Sequence, residues 1–151
     1  MTTSPINPNN NVTTGNLSNV KLLIAEDDDI AQMILRKQLE PYTFYHIFFC
    51  SDGDDFMTML ETINPDLVIM DVRLPNISGL DLACQVRNHP KFEDIPILML
   101  SASAFREDIK AGLDAGATEY ITKPYNVEKF LERLLYYTME VAERRNHTSS
   151  N

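Results

Sequence analysis

Four short stretches of this chain end on residues that could do chemistry together. Val20 to Ala25 runs into Glu26-Asp27-Asp28, Asp66 to Met70 into Asp71, Ile95 to Leu100 into Ser101, and Thr118 to Thr122 into Lys123. Three carboxylates, from Glu26, Asp27 and Asp71, would repel strongly in one pocket, and a hard divalent cation with oxygen ligands relieves that repulsion. Magnesium fits best, because it binds through one or two carboxylates, keeps several waters and leaves room for phosphate oxygens. Three carboxylates, one divalent cation and one lysine balance to zero formal charge. A phosphoryl group on Asp71 would replace one negative charge by roughly two, and the Lys123 ammonium and the Ser101 hydroxyl can be drawn onto the new oxygens. Phosphoryl transfer asks for in-line positioning and charge neutralisation more than for covalent help, and this set supplies both. Each residue also has a plainer reading: acids before a helix suit its positive end, and a strand-terminal Asp often makes a turn. Only their convergence points to chemistry.

That convergence requires a particular order of elements. Val20 to Ala25 reads as a buried strand, followed by a helix capped by Asp28 or Asp29, with Ile30, Met33, Ile34 and Leu39 on its inward face and Pro41 after its end. Phe44 to Cys50 reads as a second strand, and Ser51-Asp52-Gly53 as the turn into a helix bearing Phe56, Met59, Leu60 and Ile63. Asp66 to Asp71 is continuously apolar until its last residue, as a central parallel strand covered on both faces should be. Leu80, Leu82, Ala83 and Val86 mark the third helix, Ile95 to Leu100 the fourth strand, and a helix rich in small residues leads to Gly116. After the short strand Thr118 to Thr122, Asn126 caps a long helix with Val127, Phe130, Leu131, Leu134 and Val141, and Leu135, Tyr136, Tyr137 and Met139 widen its apolar stripe into a partner surface. The expected fold is α/β: a five-stranded parallel sheet, doubly wound with right-handed crossovers. In such sheets ligands bind beyond the carboxyl ends of the strands, where the strand order reverses.

The chain has 151 residues, 44% of them hydrophobic, which suits one domain. The expected organisation is a disordered leader over 1-19, a folded unit over 20-145 and a disordered tail over 146-151. The leader is rich in Asn, Thr and Ser and cannot offset its ordering entropy by burial; it also lacks the apolar core of a secretory signal. With 13 Lys+Arg against 22 Asp+Glu the net charge is -9, and there is no basic cluster beyond Arg144-Arg145, so neither nucleic acid nor a membrane is an expected partner. Cys50 and Cys84 have no metal-ligand or Cys-x-x-Cys spacing and read as reduced thiols of a cytoplasmic protein.

At this point the residues match a known family. Across nearly all of Val20 to Glu143 the sequence resembles the receiver domain of response regulators, of the stand-alone type, with the flavodoxin-like (βα)5 fold. The resemblance rests on ordered pieces: Glu26-Asp27, Ser51-Asp52-Gly53, Asp71-Val72-Arg73-Leu74-Pro75-Asn76-Ile77-Ser78-Gly79, Leu100-Ser101-Ala102, and Ala115-Gly116-Ala117-Thr118-Glu119-Tyr120-Ile121-Thr122-Lys123-Pro124. It implies that Asp71 is the phosphoacceptor. Asp27, Asp71 and the Arg73 backbone carbonyl would bind Mg2+ directly, and Glu26 through water. Ser101 and Lys123 would grip the phosphoryl group, Lys123-Pro124 would be a cis peptide, and Ser101 with Tyr120 would form the switch. Glu26 stands where Asp is also common and Ser101 where Thr is frequent, and neither departure removes the chemistry.

The resemblance also implies partners: a histidine kinase or a histidine phosphotransfer protein as donor, a downstream protein target, and a homodimer as one further assembly. The catalysis implied is limited to the protein's own phosphorylation and dephosphorylation, so the chain is not expected to be an enzyme in the usual sense. Two other functions share features of the pattern. A haloacid-dehalogenase-like phosphatase would need an acid two residues after its nucleophile, where this chain has Arg73. A flavin carrier would place a phosphate against Glu26-Asp27-Asp28-Asp29, which repels it. A receiver-like scaffold that works without phosphorylation uses the same fold, because fold alone does not set function.

Overall fold

The computed structural model describes residues 19–42 and 45–149. The expected leader lies almost wholly outside them, as do Phe44 of the expected second strand and the last two residues. Strands and helices alternate as β1 (Val20–Ala25), α1 (Asp29–Leu39), β2 (Tyr45–Cys50), α2 (Gly53–Ile63), β3 (Leu67–Asp71), α3 (Gly79–Asn88), β4 (Ile97–Ser101), α4 (Arg106–Ala115), β5 (Glu119–Thr122) and α5 (Val127–Ser149). All pairings are parallel, in the order β2-β1-β3-β4-β5. The chain steps from β1 to one side for β2 and to the other for β3, so a crevice opens between the carboxyl ends of β1 and β3.

Period-two alternation divides each strand between two cores. Val20, Leu22 and Ile24 face α1 and α5, packing with Leu35, Leu39, Phe130 and Leu134. Leu23 and Ala25 face the other side, with Phe56, Leu60, Leu82, Ala83 and Val86. Every residue of β3 and β4 is buried, which explains their unbroken apolar runs. Four of the five helices begin on side chains that accept from their first free N–H groups, Asp28 for α1, Asp52 for α2, Ser78 for α3 and Asn126 for α5, and α4 begins at Phe105 without one. Between β2 and α5, Tyr45 and Thr138 share a buried hydroxyl hydrogen bond of 2.8 Å.

Three expectations from the sequence are corrected. α1 buries Leu35 and Leu39, whereas Ile30, Met33 and Ile34 are all at least half exposed. The helix is apolar on two faces: the one with Leu35 and Leu39 packs on the sheet, with Ala31 and Gln32 half-buried, and the one with Ile30, Met33 and Ile34 faces solvent. The apolar stripe of α5 is narrower than its composition suggests: Leu135 is in the core and Tyr137 bonds Glu119, which leaves Tyr136 exposed. α5 also continues to Ser149, so Asn146 to Ser149 of the expected tail is helical.

At the far end from the crevice, the Arg87 guanidinium of α3 ties two loops together, the one before β4 and the one before β5. It donates to the carbonyl oxygens of Gly116 at 2.9 Å, Ile95 at 2.7 Å and Glu93 at 3.2 Å, and to Thr118 Oγ1 at 3.3 Å. Arg87→Met keeps the apolar stem but leaves the part-buried carbonyls without their donor. Urea titration should show a loss of about 2–3 kcal/mol with an unchanged m value. A loss below about 0.5 kcal/mol would mean that water replaces the guanidinium at little cost.

Candidate functional site

The crevice is built from strand ends. Asp71 closes β3 and Ser101 closes β4; Glu26 follows β1 directly and Lys123 follows β5. Glu26, Asp71 and Ser101 are buried, at 4%, 8% and 6% exposure. Backbone bonds lock these ends together: Val72 N–H to the Leu100 carbonyl at 3.1 Å, Lys123 N–H to the Ser101 carbonyl at 2.7 Å, and Glu26 N–H to the Cys50 carbonyl at 3.0 Å. The Lys123–Pro124 peptide is cis.

Asp71 is held at both oxygens. Oδ1 accepts the Arg73 N–H at 2.8 Å, and Oδ2 accepts the Lys123 ammonium at 2.5 Å. Lys123 also lies 3.8 Å from Glu26 Oε2. Burial raises the Glu26 carboxyl to about 7, and the neighbouring Asp71 adds to the effect, while the Lys123 charge offsets part of it. Desolvation acts to lower Lys123, but the Asp71 and Glu26 charges outweigh it and the ammonium is held above its ordinary range. A buried acid poised near neutrality beside a second acid marks an excess of negative charge, the condition that a divalent cation relieves.

The structure therefore brings Glu26, Asp71 and Lys123 into direct contact. Ser101 stands on the adjacent strand, its Oγ accepting the Ser103 N–H at 3.1 Å. Asp27 is exposed at the rim. Among the described residues no three acids, histidines or cysteines stand in a ready-made metal cage. Tyr120 is half-buried, and its hydroxyl donates to the Ser103 carbonyl at 2.9 Å.

Three supporting residues went unassigned from the sequence. Gln32 donates to the Glu26 carbonyl at 2.6 Å and to Ser51 Oγ at 3.0 Å, fixing the acidic turn to the end of β2. A polar residue within an otherwise apolar helix face was its only signal. Gly79 lets α3 start directly under the acceptor, because a Cβ there would collide with the Asp71 carbonyl oxygen. Ser103 links the site to α4, its Oγ donating to the Asp108 carboxylate and accepting the Phe105 N–H at 3.3 Å. Its place two residues beyond Ser101 marks it in the sequence, where the family resemblance implies an influence on how long the phosphoryl group survives, but the link to α4 was not legible there.

Comparison with known proteins places the fold and the family. A family model described as the response regulator receiver domain matches residues 22–135. Response regulator MprA of Mycolicibacterium vanbaalenii is 34% identical over 115 residues, which cover 76% of this chain and 48% of that protein. The chain thus spans about half the length of the curated relatives it matches. The crystal structure of a putative response regulator from Chloroflexus aurantiacus J-10-fl superposes with a TM-score of 0.76 at 32% identity, covering 81% of this chain and 99% of that one. The receiver domain of the sensor histidine kinase PA1611 from Pseudomonas aeruginosa PAO1, solved with a magnesium ion coordinated in its active site cleft, gives 0.73 at 25% identity, covering 80% and 98%.

Proposed function

The chain belongs to the response regulator receiver domain family of two-component signalling, and from that premise we propose that Asp71 takes a phosphoryl group from a phosphohistidine donor in the presence of magnesium. The modified domain then signals by changing conformation or passes the group onward, and its catalysis extends only to its own phosphorylation and dephosphorylation. The observation that carries this reading is the buried Asp71 carboxylate, held at 2.5 Å by Lys123 and flanked by the buried Glu26.

The donor set fits magnesium. Hard carboxylate oxygens with excess negative charge are what the ion prefers, and the solved PA1611 receiver domain carries one in its cleft. Asp27, Asp71 and the Arg73 carbonyl would hold it, with Glu26 behind a water. When bound, the ion neutralises the acids and polarises the incoming phosphoryl oxygens. The rest is done by side chains of the protein. Lys123 already contacts Asp71 Oδ2 and keeps a cation within reach of a phosphoryl oxygen. Ser101 accepts from Ser103, which leaves its own O–H to donate to a second oxygen. Drawing Ser101 toward the phosphoryl group pulls on Ser103, and through it on Tyr120 and α4.

The donor is proposed to be a histidine kinase or a histidine phosphotransfer protein in the cytoplasm. Supporting this, α1 rises directly from the acidic turn and presents Ile30, Met33 and Ile34 to solvent, at 64%, 56% and 50% exposure, in a row suited to a helical partner. Replacing Ile30 and Ile34 by Ala should slow phosphotransfer from a phosphohistidine protein by about tenfold. Labelling by acetyl phosphate should be unchanged. Equal slowing with both donors would show that the patch supports the fold and not the encounter. A survey of labelled kinases as donors tests the whole reading, and failure of every phosphohistidine donor to label Asp71 would end it.

A further inference from the structure

Gly112 sits in the seventh position of the ten-residue α4 and is buried. Glycine inside a helix is unfavourable relative to alanine, by about fivefold in the folding equilibrium constant. Neither a positive φ nor the C-cap explains it, since the cap is Gly116 with φ 121°. What explains it is a ring. A Cβ built on Gly112 would lie 2.6 Å from Tyr120 Cδ2, 2.9 Å from Tyr120 Cε2 and 3.1 Å from Met99 Sδ. Met99 has a flexible thioether that can yield by a few tenths of an ångström. The Tyr120 ring cannot: its Cα is fixed by the pairing of β5 with β4 opposite Met99, and its hydroxyl is anchored on the Ser103 carbonyl.

We propose that Gly112 is a positioning residue for the switch: its missing side chain is the space that lets the Tyr120 ring lie against α4 with its hydroxyl on Ser103. The inference rests on the reading of Ser101 and Tyr120 as the moving parts, and names what sets their equilibrium. A methyl group at 112 leaves two outcomes. Either the ring rotates out and gives up the Ser103 carbonyl, or α4 lifts from the sheet. Both disconnect Ser103 from β5 while leaving Asp71, Lys123 and Glu26 untouched.

The test uses the full chain without phosphorylation, so it is independent of whether Asp71 is ever modified. Gly112→Ala should lower the folding equilibrium constant in the Tyr120 background. In the Tyr120→Ala background the same change should raise it, toward about fivefold, because only helix propensity remains. In protein labelled with fluorotyrosine, the Tyr120 resonance, assigned by its loss in Tyr120→Phe, should move in Gly112→Ala to a position broadened by a soluble paramagnetic agent. Gly112→Ala that stabilises in both backgrounds, or that leaves the Tyr120 resonance protected, would overturn the proposal. Should Gly112→Ala alone fail to fold, recovery of the fold in Gly112→Ala/Tyr120→Ala would support it, and failure of that double variant would overturn it. Absence of label on Asp71 in the wild type would defeat the functional reading and leave these stability and resonance outcomes as they stand.

Discussion

Asp71→Asn should take up no label from acetyl phosphate and magnesium, while folding as well as the wild type. Asparagine preserves an oxygen to accept the Arg73 N–H, now 2.8 Å from Oδ1, so the turn after β3 keeps its anchor. It removes the nucleophilic oxygen and the acid whose proximity adds to the burial that raises Glu26. Its melting temperature should accordingly be no lower than that of the wild type, which separates loss of chemistry from loss of fold. Chelation of magnesium from the wild type should cut the labelling rate by at least roughly a hundredfold, because an uncompensated acidic pocket repels an incoming phosphoryl dianion. Intact mass reads the added phosphoryl group, and hydroxylamine, which cleaves acyl phosphates, identifies it. Label that persists in Asp71→Asn, or that proceeds at full rate without magnesium, contradicts the assignment.

Magnesium affinity should depend steeply on pH through Glu26. The folded carboxyl is raised to about 7 from an ordinary 4.5, so between those values the metal-free fold holds a proton that the unfolded chain has released. Stability from this group is therefore highest below about 4.5 and falls as pH rises toward about 7. Binding a cation favours the ionised form and reverses the preference. The ion must displace the Glu26 proton below neutrality, so affinity should weaken by about tenfold from pH 8 to pH 6, with proton release on binding. Glu26→Gln should bind magnesium more weakly at pH 8 and lose most of this dependence. Calorimetry in buffers of different ionisation enthalpy measures both the affinity and the released proton. A wild-type affinity that stays level across this range would show that Glu26 is not linked to the ion.

Much of the architecture could be read before any coordinates. The unbroken apolar runs of β3 and β4 leave no face for water, and each ends on a single polar residue, so a parallel sheet with its chemistry at the carboxyl edge follows from the pattern. Two helix starts were equally legible, because Asp28 and Asn126 are short acceptors placed just before apolar periodicity, whereas Asp52 and Ser78 read there only as turn and loop residues and α4 starts at Phe105 without a side-chain cap. α1 was not. Its sequence offers two apolar faces, and period alone cannot say which one meets the sheet; in the fold it is the face with Leu35 and Leu39 that packs against β1 and α5. The bulky residues left outside then become the surface beside the site.

The sequence by itself determined the fold class, the family and the set of residues gathered at the strand ends, because alternation, capping and chain order are local properties that survive without coordinates. Only the tertiary structure decided how those residues meet. It sets Lys123 on Asp71 and Glu26 beside it while Asp27 stays at the rim, and it turns Gln32 inward. It also places Tyr120 against a glycine eight residues earlier on a different element. These are contacts between side chains brought together by sheet pairing and helix packing, and their distances and shared charge exist only once the strands are in register.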